Sequence, residues 1–391
     1  GKFAAARGAF TAAMSKAVSE AALKGLWTSL QRGTINTRCA LSRVLIREEA
    51  LLRCASADLL MTTVQRTNGT IIGWFFKGRY RDPSYADPKT YEESEVVIGK
   101  APWQLPGTLT KPKGAPPKAA LVLVHGSGPN DRDETVAALK AFRDLALGLA
   151  TRGIAVLRYD KRTRVHGRKM KGWPTLDEET TDDALHAAAY LRDVVKVPRK
   201  KIFVLGHSMG GKLIPRIGAK GKDVRGFIIL AGSYQASEDI LAYQIPYLRA
   251  ADDGKLSAAD KKRIAQVEAQ AARIRARKFK DDTPARELLG IPPKRWREWQ
   301  AYDVGKSARK LRRPTLVLQG ERDYQVTMKD FAGWKKALKG KKWVTFKSFP
   351  KLNHHLVTGD KKSVPAEYGM PGNVAVEVVE TIASWLKAHS K

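Results

Sequence analysis

Acidic residues are scarce in this chain. Only 39 Asp and Glu stand against 71 Lys and Arg, leaving a formal charge of +32 over 391 residues. Such an excess favours anionic surfaces of any kind, whether nucleic acid, acidic lipid or cell-wall polymer. The basic residues are scattered, however, and fall in no aromatic-interleaved RNA motif. A solubility or lineage bias spread over the whole surface is therefore the preferred reading, and nucleic acid is not the expected partner. Cysteine is nearly absent. Cys39 and Cys54 are the only two, which leaves one hairpin disulfide of an exported protein or two buried thiols. No uninterrupted apolar run approaches the ~20 residues of a membrane helix. Neither a zinc spacing nor a P-loop occurs, since residues 206–211 lack the Lys-Ser/Thr that a phosphate cradle needs. The chain opens Gly1-Lys2-Phe3-Ala4, no natural start and no signal peptide, so one end is expected to have been removed. Export to periplasm or medium is the expected compartment, with the cytoplasm as the alternative.

What is present describes an ordinary globular chain, 43% hydrophobic and 28% charged. It is long enough for a large α/β core and a smaller domain. Residues 3–31 form an alanine-rich amphipathic stretch, expected as two helices broken near 18–21. The period then shifts towards strands at 41–46, 59–64 and 71–76, the last following the turn signal Asn68-Gly69. Helices followed by a curved meander predict a small cone-like α+β domain over residues 1–80. Residues 79–91, rich in Pro, Asp and Tyr, read as the linker.

The remainder, 81–391, reads as a second domain. A hairpin at 95–98 and 107–110 is expected at one sheet edge. Apolar strands and helical patterns then alternate: strands at 120–124, 154–158, 202–205, 226–230, 315–318 and 343–346, with helices at 136–150, 181–194 and 372–388. That alternation predicts a mostly parallel sheet with helices on both faces. A charged, helical insertion at about 235–311 interrupts it on the side where such sheets bind ligands, where a lid would sit. Trp296, Trp299 and Tyr302 are its residues best able to wall an apolar pocket, or to anchor it.

Residues 201–216 organise the whole. A short apolar strand runs into Gly206-His207-Ser208-Met209-Gly210, a G-x-S-x-G pentapeptide, and a helix-compatible run follows. A serine on so tight a turn projects its hydroxyl above the sheet, while the helix N-terminus offers N–H groups to a developing oxyanion. Serine is a poor nucleophile until a base takes its proton, and the resulting imidazolium needs a carboxylate behind it. Downstream, Gln319-Gly320-Glu321-Arg322-Asp323 and Leu352-Asn353-His354-His355 both end strands on the rim that Ser208 occupies. Ser208, Asp323 and His354 in that chain order read as a triad. His207 reads as support. The loop His125-Gly126-Ser127-Gly128-Pro129 can present a second oxyanion donor, the Ser127 N–H, beside that of Met209. Asn130-Asp131-Arg132-Asp133 would line the pocket mouth or solvate the rim.

These segments, with Arg158-Tyr159-Asp160-Lys161-Arg162, resemble the signatures of α/β-hydrolase-fold bacterial esterases in the dienelactone-hydrolase-like branch, from about Tyr85 onward. The N-terminal domain resembles the small module, similar to the nuclear transport factor 2 cone, found ahead of such hydrolases. The resemblance implies Ser208 as nucleophile, Asp323 as acid, His354 as base, and no metal or organic cofactor. Dienelactone hydrolases proper carry cysteine where Ser208 stands, so dienelactone itself is not the expected substrate. The doubled His354-His355 departs from the single histidine of the pattern. The expected function is hydrolysis of a small-molecule carboxylic ester through an acyl-enzyme. An acyltransferase or peptidase on the same triad is one alternative, and a non-catalytic binding protein for an anionic polymer is the other.

Overall fold

The computed structural model describes residue 20 and residues 40–45, 49–53, 58–65, 71–250 and 256–391. Residue 20 apart, the helices expected at 3–31 lie outside the described residues, as do both cysteines. The chain forms two compact units, one of Gly1–Arg81 with Val136–Leu139 and Ala366–Gly372, the other of the rest. In the first, β1 (Ala40–Leu45), β2 (Glu49–Arg53), β3 (Asp58–Gln65) and β4 (Ile71–Gly78) make an antiparallel meander in sequential order. Register shifts between Leu41 and Arg43 and between Val64 and Gln65 interrupt the ladder, the kind of bulge that bends and twists a strand. β2 was not expected from its composition, Glu-Ala-Leu-Leu-Arg, which favours a helix.

The second unit is built on eight strands. An antiparallel hairpin, β5 (Tyr91–Ile98) and β6 (Leu105–Pro112), forms one edge. The others are β7 (Ala119–Val124), β10 (Ile154–Tyr159), β11 (Ile202–His207), β12 (Gly226–Leu230), β13 (Thr315–Gly320) and β14 (Val344–Phe349). Their order is β14-β13-β12-β11-β7-β10-β6-β5, parallel from β14 to β10 and antiparallel beyond. β8 (Thr135–Val136) and β9 (Leu139–Lys140) form a two-residue ribbon between β7 and the first helix. The helix expected at 136–150 therefore starts later, as α1 (Ala141–Thr151), because Ala137 takes φ +52° and breaks the helical run.

β7 shows how the sheet is covered. Its side chains alternate between faces, as a period of two requires. Ala119, Leu121 and Leu123 pack into one layer with α1 and α9 (Val376–His389). Ala120, Val122 and Val124 pack into the other with α2 (Asp182–Asp193), α3 (Met209–Lys220) and α8 (Met328–Ala337). Every residue of β7, β10, β11, β12 and β13 is buried, which explains why these strands read as unbroken apolar runs. Truncating one of these core leucines to alanine costs about 2–5 kcal/mol. β7 pairs with β10 on one side and β11 on the other. Chain order reverses there, and the crevice outside the strand C-termini is where sheets of this kind bind ligands.

The insertion carries α4 (Ser237–Arg249), α5 (Ala258–Arg275), α6 (Pro293–Ala301) and α7 (Val304–Lys310). A reciprocal capping box between Ser257 and Asp260 starts α5. The insertion has a core of its own, made by Ile274, Phe279, Leu288 and Trp296.

Candidate active site

Ser208 sits between β11 and α3 with φ +54° and ψ −116°, a conformation that costs on the order of 1–3 kcal/mol for a residue with a side chain. The positions two residues before and after it must be glycine. A Cβ on Gly206 would lie 2.3 Å from the Gly210 carbonyl oxygen, and one on Gly210 would lie 2.4 Å from that of Val124. The turn is as tight as the pentapeptide implies, and it seats α3 against the end of β7.

The loop after β7 reaches the serine. A Cβ on Gly126 would lie 3.1 Å from Ser208 Cβ and 3.6 Å from Ser208 Oγ. The N–H groups of Ser127 and Met209 have no hydrogen-bond partner among the described residues. Both residues line the same cavity as Ser208.

Asp323 and His354 come together as the chain order suggested. His354 Nδ1 is 2.7 Å from Asp323 Oδ2, with both side chains buried. The carboxylate is fully engaged: Oδ1 accepts from the N–H groups of Gln325 (2.8 Å) and Val326 (2.9 Å), and Oδ2 accepts from Gln319 Nε2 (3.1 Å). The acid turn and the histidine loop are in contact, since a Cβ on Gly320 would lie 2.4 Å from the Leu352 carbonyl oxygen. His207, next to the serine, donates from Nε2 to the His354 carbonyl oxygen at 3.0 Å. That bond ties the histidine loop to the elbow.

His355 takes a different course. Its ring is buried, edge-on to those of His354 and 5.7 Å from His207. Burial pushes its imidazole well below the usual range, and the neighbouring His354 and His207 push it further.

Glu134, which carried no sequence signal, joins His207 and His125 around the elbow. Glu134 is buried beneath the loop, accepting the Gly126 N–H at Oε1 (2.7 Å) and facing His207 Nδ1 from Oε2 (2.9 Å). Burial would raise its carboxyl, but His207, His125 and the Gly126 N–H outweigh burial and hold it down at about 2. Burial likewise opposes a charge on His207, yet Glu134 lifts its imidazole above the ordinary value. His125 donates to the Asp131 carbonyl oxygen (3.1 Å), and burial pulls it down to about 4.

The stretch Asn130 to Asp133 braces this loop and does not line the cavity. Asn130 Nδ2 donates to the carbonyl oxygens of Gly126 (3.3 Å) and Ser127 (3.1 Å). Arg132 pairs with Asp160 and Glu95, and Asp133 with Lys140 and Arg158.

The cavity at Ser208 is about 520 Å³. Met170, Trp173, Ile240, Leu241, Ile291 and Trp299 give it an apolar wall, and Glu179, Lys212 and Arg295 are its charged members. Of the three aromatic residues singled out in the insertion, only Trp299 lines it. Trp296 is buried in the insertion's own core and donates to the Leu288 carbonyl oxygen, while Tyr302 donates to that of Lys212 (3.1 Å). Lys212, one turn past the serine, donates to Gln235 O (2.6 Å) and Ser237 Oγ (3.2 Å). Its ammonium lies 5.1 Å from the Trp299 ring centre, and burial pulls it down to about 8. The insertion also meets the acid turn, where Gln244 Nε2 donates to Gln325 O (2.9 Å) and Tyr247 stacks on Tyr324. Among the described residues no cluster of His, Cys, Asp and Glu could hold a metal, and no helix is long and apolar enough to cross a membrane.

The esterase EstD of Thermotoga maritima is 37% identical over 330 residues, covering 83% of this chain and 76% of that protein. A puromycin-hydrolyzing peptidase of Mycobacterium tuberculosis superposes with a TM-score of 0.50 at 15% identity, over 87% of this chain and 45% of that one. An esterase of Pyrococcus furiosus has a TM-score of 0.49 at 15% identity, over 80% of this chain and 97% of that one. The family model described as serine aminopeptidase, S33, matches residues 115–361. With most of the mostly parallel sheet, the elbow and the insertion inside that match, the chain belongs to the serine aminopeptidase S33 family of hydrolases.

Proposed function

We propose that this chain is a serine hydrolase of carboxylic esters that works through an acyl-enzyme. Ser208 Oγ attacks the ester carbonyl as His354 takes its proton. The N–H groups of Ser127 and Met209 hold the oxyanion, and Asp323 holds the imidazolium. His354 then returns the proton to the leaving alcohol and activates the water that frees the acid. The observation that carries the reading is the 2.7 Å contact of His354 Nδ1 with a fully hydrogen-bonded Asp323. It fixes the tautomer whose Nε2 is free to accept a proton. The name of the Thermotoga relative supports ester chemistry.

The family description favours a second reading, a peptidase on the same residues. An aminopeptidase must hold the α-ammonium of its substrate, which in a closed site calls for an unneutralised carboxylate. Glu179, the acid on the cavity wall, already faces Lys161 and Arg295 at 2.8 and 2.5 Å. Lys212 adds a positive charge. The wall therefore suits neutral or anionic esters and works against a cationic amine. We assign the chain further to the dienelactone-hydrolase-like branch. We also propose residues 1–80 as a separate domain resembling the nuclear transport factor 2 cone, 81–391 as the hydrolase domain, and 235–311 as its lid.

The test is a panel of chromogenic esters of graded chain length, alongside aminoacyl arylamides and esters with a cationic acyl group. Neutral esters are expected to be turned over fastest. Faster turnover of the arylamides would replace the esterase reading with the peptidase one.

A further inference from the structure

The peptide between Gly126 and Ser127 is held from its far side. Its planar trans geometry makes the Gly126 carbonyl and the Ser127 N–H point in opposite directions. Whatever fixes the carbonyl therefore aims the N–H. Lys161 Nζ donates to that carbonyl oxygen at 2.8 Å, a shorter bond than the 3.3 Å one from Asn130. Lys161 follows β10 and is 2% exposed.

A buried ammonium needs a counter-charge close by. Glu179 supplies it, with Oε1 2.8 Å from Lys161 Nζ. The other oxygen of Glu179 accepts from Arg295 Nη2 at 2.5 Å. Arg295 belongs to α6 in the insertion and is itself buried, and it also faces Glu298 at 3.3 Å. Three buried charges thus run from the insertion to the loop beside Ser208. Glu179 and Arg295 line the substrate cavity, whereas the Lys161 ammonium bonds the Gly126 carbonyl and pairs with its counter-charge.

We propose that Lys161 is a positioning residue that aims and polarises the Ser127 N–H as an oxyanion donor, and that the insertion holds it in place through Arg295 and Glu179. The proposal rests on the esterase reading, in which the Ser127 N–H is one of the two oxyanion donors. A charge-assisted bond to the carbonyl draws electron density through the peptide unit and makes the N–H at its other end a stronger donor. That N–H is needed when the carbonyl oxygen of the substrate becomes an anion, and much less before it. Loss of Lys161 should therefore lower kcat and leave KM nearly alone. The same chain makes the site depend on the insertion being seated, since Arg295 is the only member of the three that it contributes.

The experiment compares wild type, Lys161→Met, Arg295→Met and the double variant, with folding followed by thermal unfolding. Each is assayed for kcat and KM on a neutral chromogenic ester. Each is also titrated with a trifluoromethyl ketone, whose hemiketal with serine presents an oxyanion. Removing one oxyanion donor costs about 10²–10³ in kcat, so misaiming it in Lys161→Met should cost about 10- to 100-fold. The inhibition constant should rise in parallel, with KM changing by less than about threefold. Arg295→Met should show a smaller loss of the same character, and in the Lys161→Met background it should have no further effect.

A folded Lys161→Met with wild-type kcat and wild-type inhibition overturns the proposal, as does a loss carried by KM. If Lys161→Met does not fold, Arg295→Met decides alone, and unchanged inhibition by the ketone overturns it. A wild-type protein that neither turns over esters nor binds the ketone refutes the esterase reading itself, a result separate from any outcome in the variants.

Discussion

Replacing Glu134 by Gln tests the buried pair beneath the elbow. Gln is nearly isosteric, tolerates the positive φ of +50° no worse than Glu, and can still accept the Gly126 N–H. What it lacks is the charge facing His207. His207 Nδ1 lies 2.9 Å from Glu134 Oε2 and Nε2 donates to the His354 carbonyl oxygen, and the carboxylate favours the charged form of the ring. Without the carboxylate the ring must stay charged and buried without a counter-ion, or lose a proton and one of its two contacts. Removing one partner of a buried ion pair costs about 3–5 kcal/mol. In a unit of this size that lowers the melting temperature by on the order of 10 °C.

The effect has a defined pH window. The Glu134 carboxyl is held at about 2, below its ordinary value, so its contribution is present above about pH 4.5 and lost as pH falls towards 2. The His207 imidazole is raised, so its contribution is present below about pH 6.5 and lost as pH rises through the folded value. The gap between wild type and Glu134→Gln should therefore be widest between about pH 4.5 and 6.5 and narrow on either side. Thermal unfolding by circular dichroism from about pH 3 to 9 reads it directly. Equal melting temperatures near pH 5.5, or a gap that keeps widening into acid, would refute the pairing.

Other substitutions follow from the same geometry. His354→Ala should lose on the order of 10⁴-fold in kcat, whereas His355→Ala should keep most activity and lose stability through an unfilled buried site; the opposite ranking in two folded variants, read by ester turnover, would move the base to His355. Gly210→Ala should disrupt the elbow, because its methyl would lie 2.4 Å from the Val124 carbonyl oxygen, and turnover within twofold of wild type would contradict so tight a turn. Replacing residues 235–311 with a short linker should change chain-length preference more than the rate of covalent labelling at the serine. An unchanged preference in a folded variant would remove the insertion from substrate selection.

The parts of the site that could be read from the chain are those written locally. Ser208 lies in a strand, a glycine turn and a helix that are contiguous, and Asp323 and His354 each follow a strand end of the same parallel sheet, so their shared rim follows from topology. The charged residues around them are a different case. Lys161, Glu179 and Arg295 meet across more than a hundred residues of chain, and each alone looks like a solvated surface charge, the usual fate of its type. Only their mutual pairing lets them be buried, and pairing leaves no periodic trace. Glu134 was hidden in the same way, 73 residues before His207, the histidine that it faces. Where a strand went unexpected, tertiary pairing had overridden local preference: Glu49–Arg53 has a helix-favouring composition but pairs with β1 on one side and β3 on the other.

The proposed chemistry depends on Ser208 as nucleophile. The direct measurement is mass-spectrometric mapping of the adduct formed with a fluorophosphonate, run on wild type and Ser208→Ala in parallel with ester turnover and thermal unfolding. A single adduct on Ser208 is predicted, with labelling and turnover both lost in a Ser208→Ala variant that unfolds close to the wild-type temperature. An adduct on Ser127, or full turnover by Ser208→Ala, would contradict it.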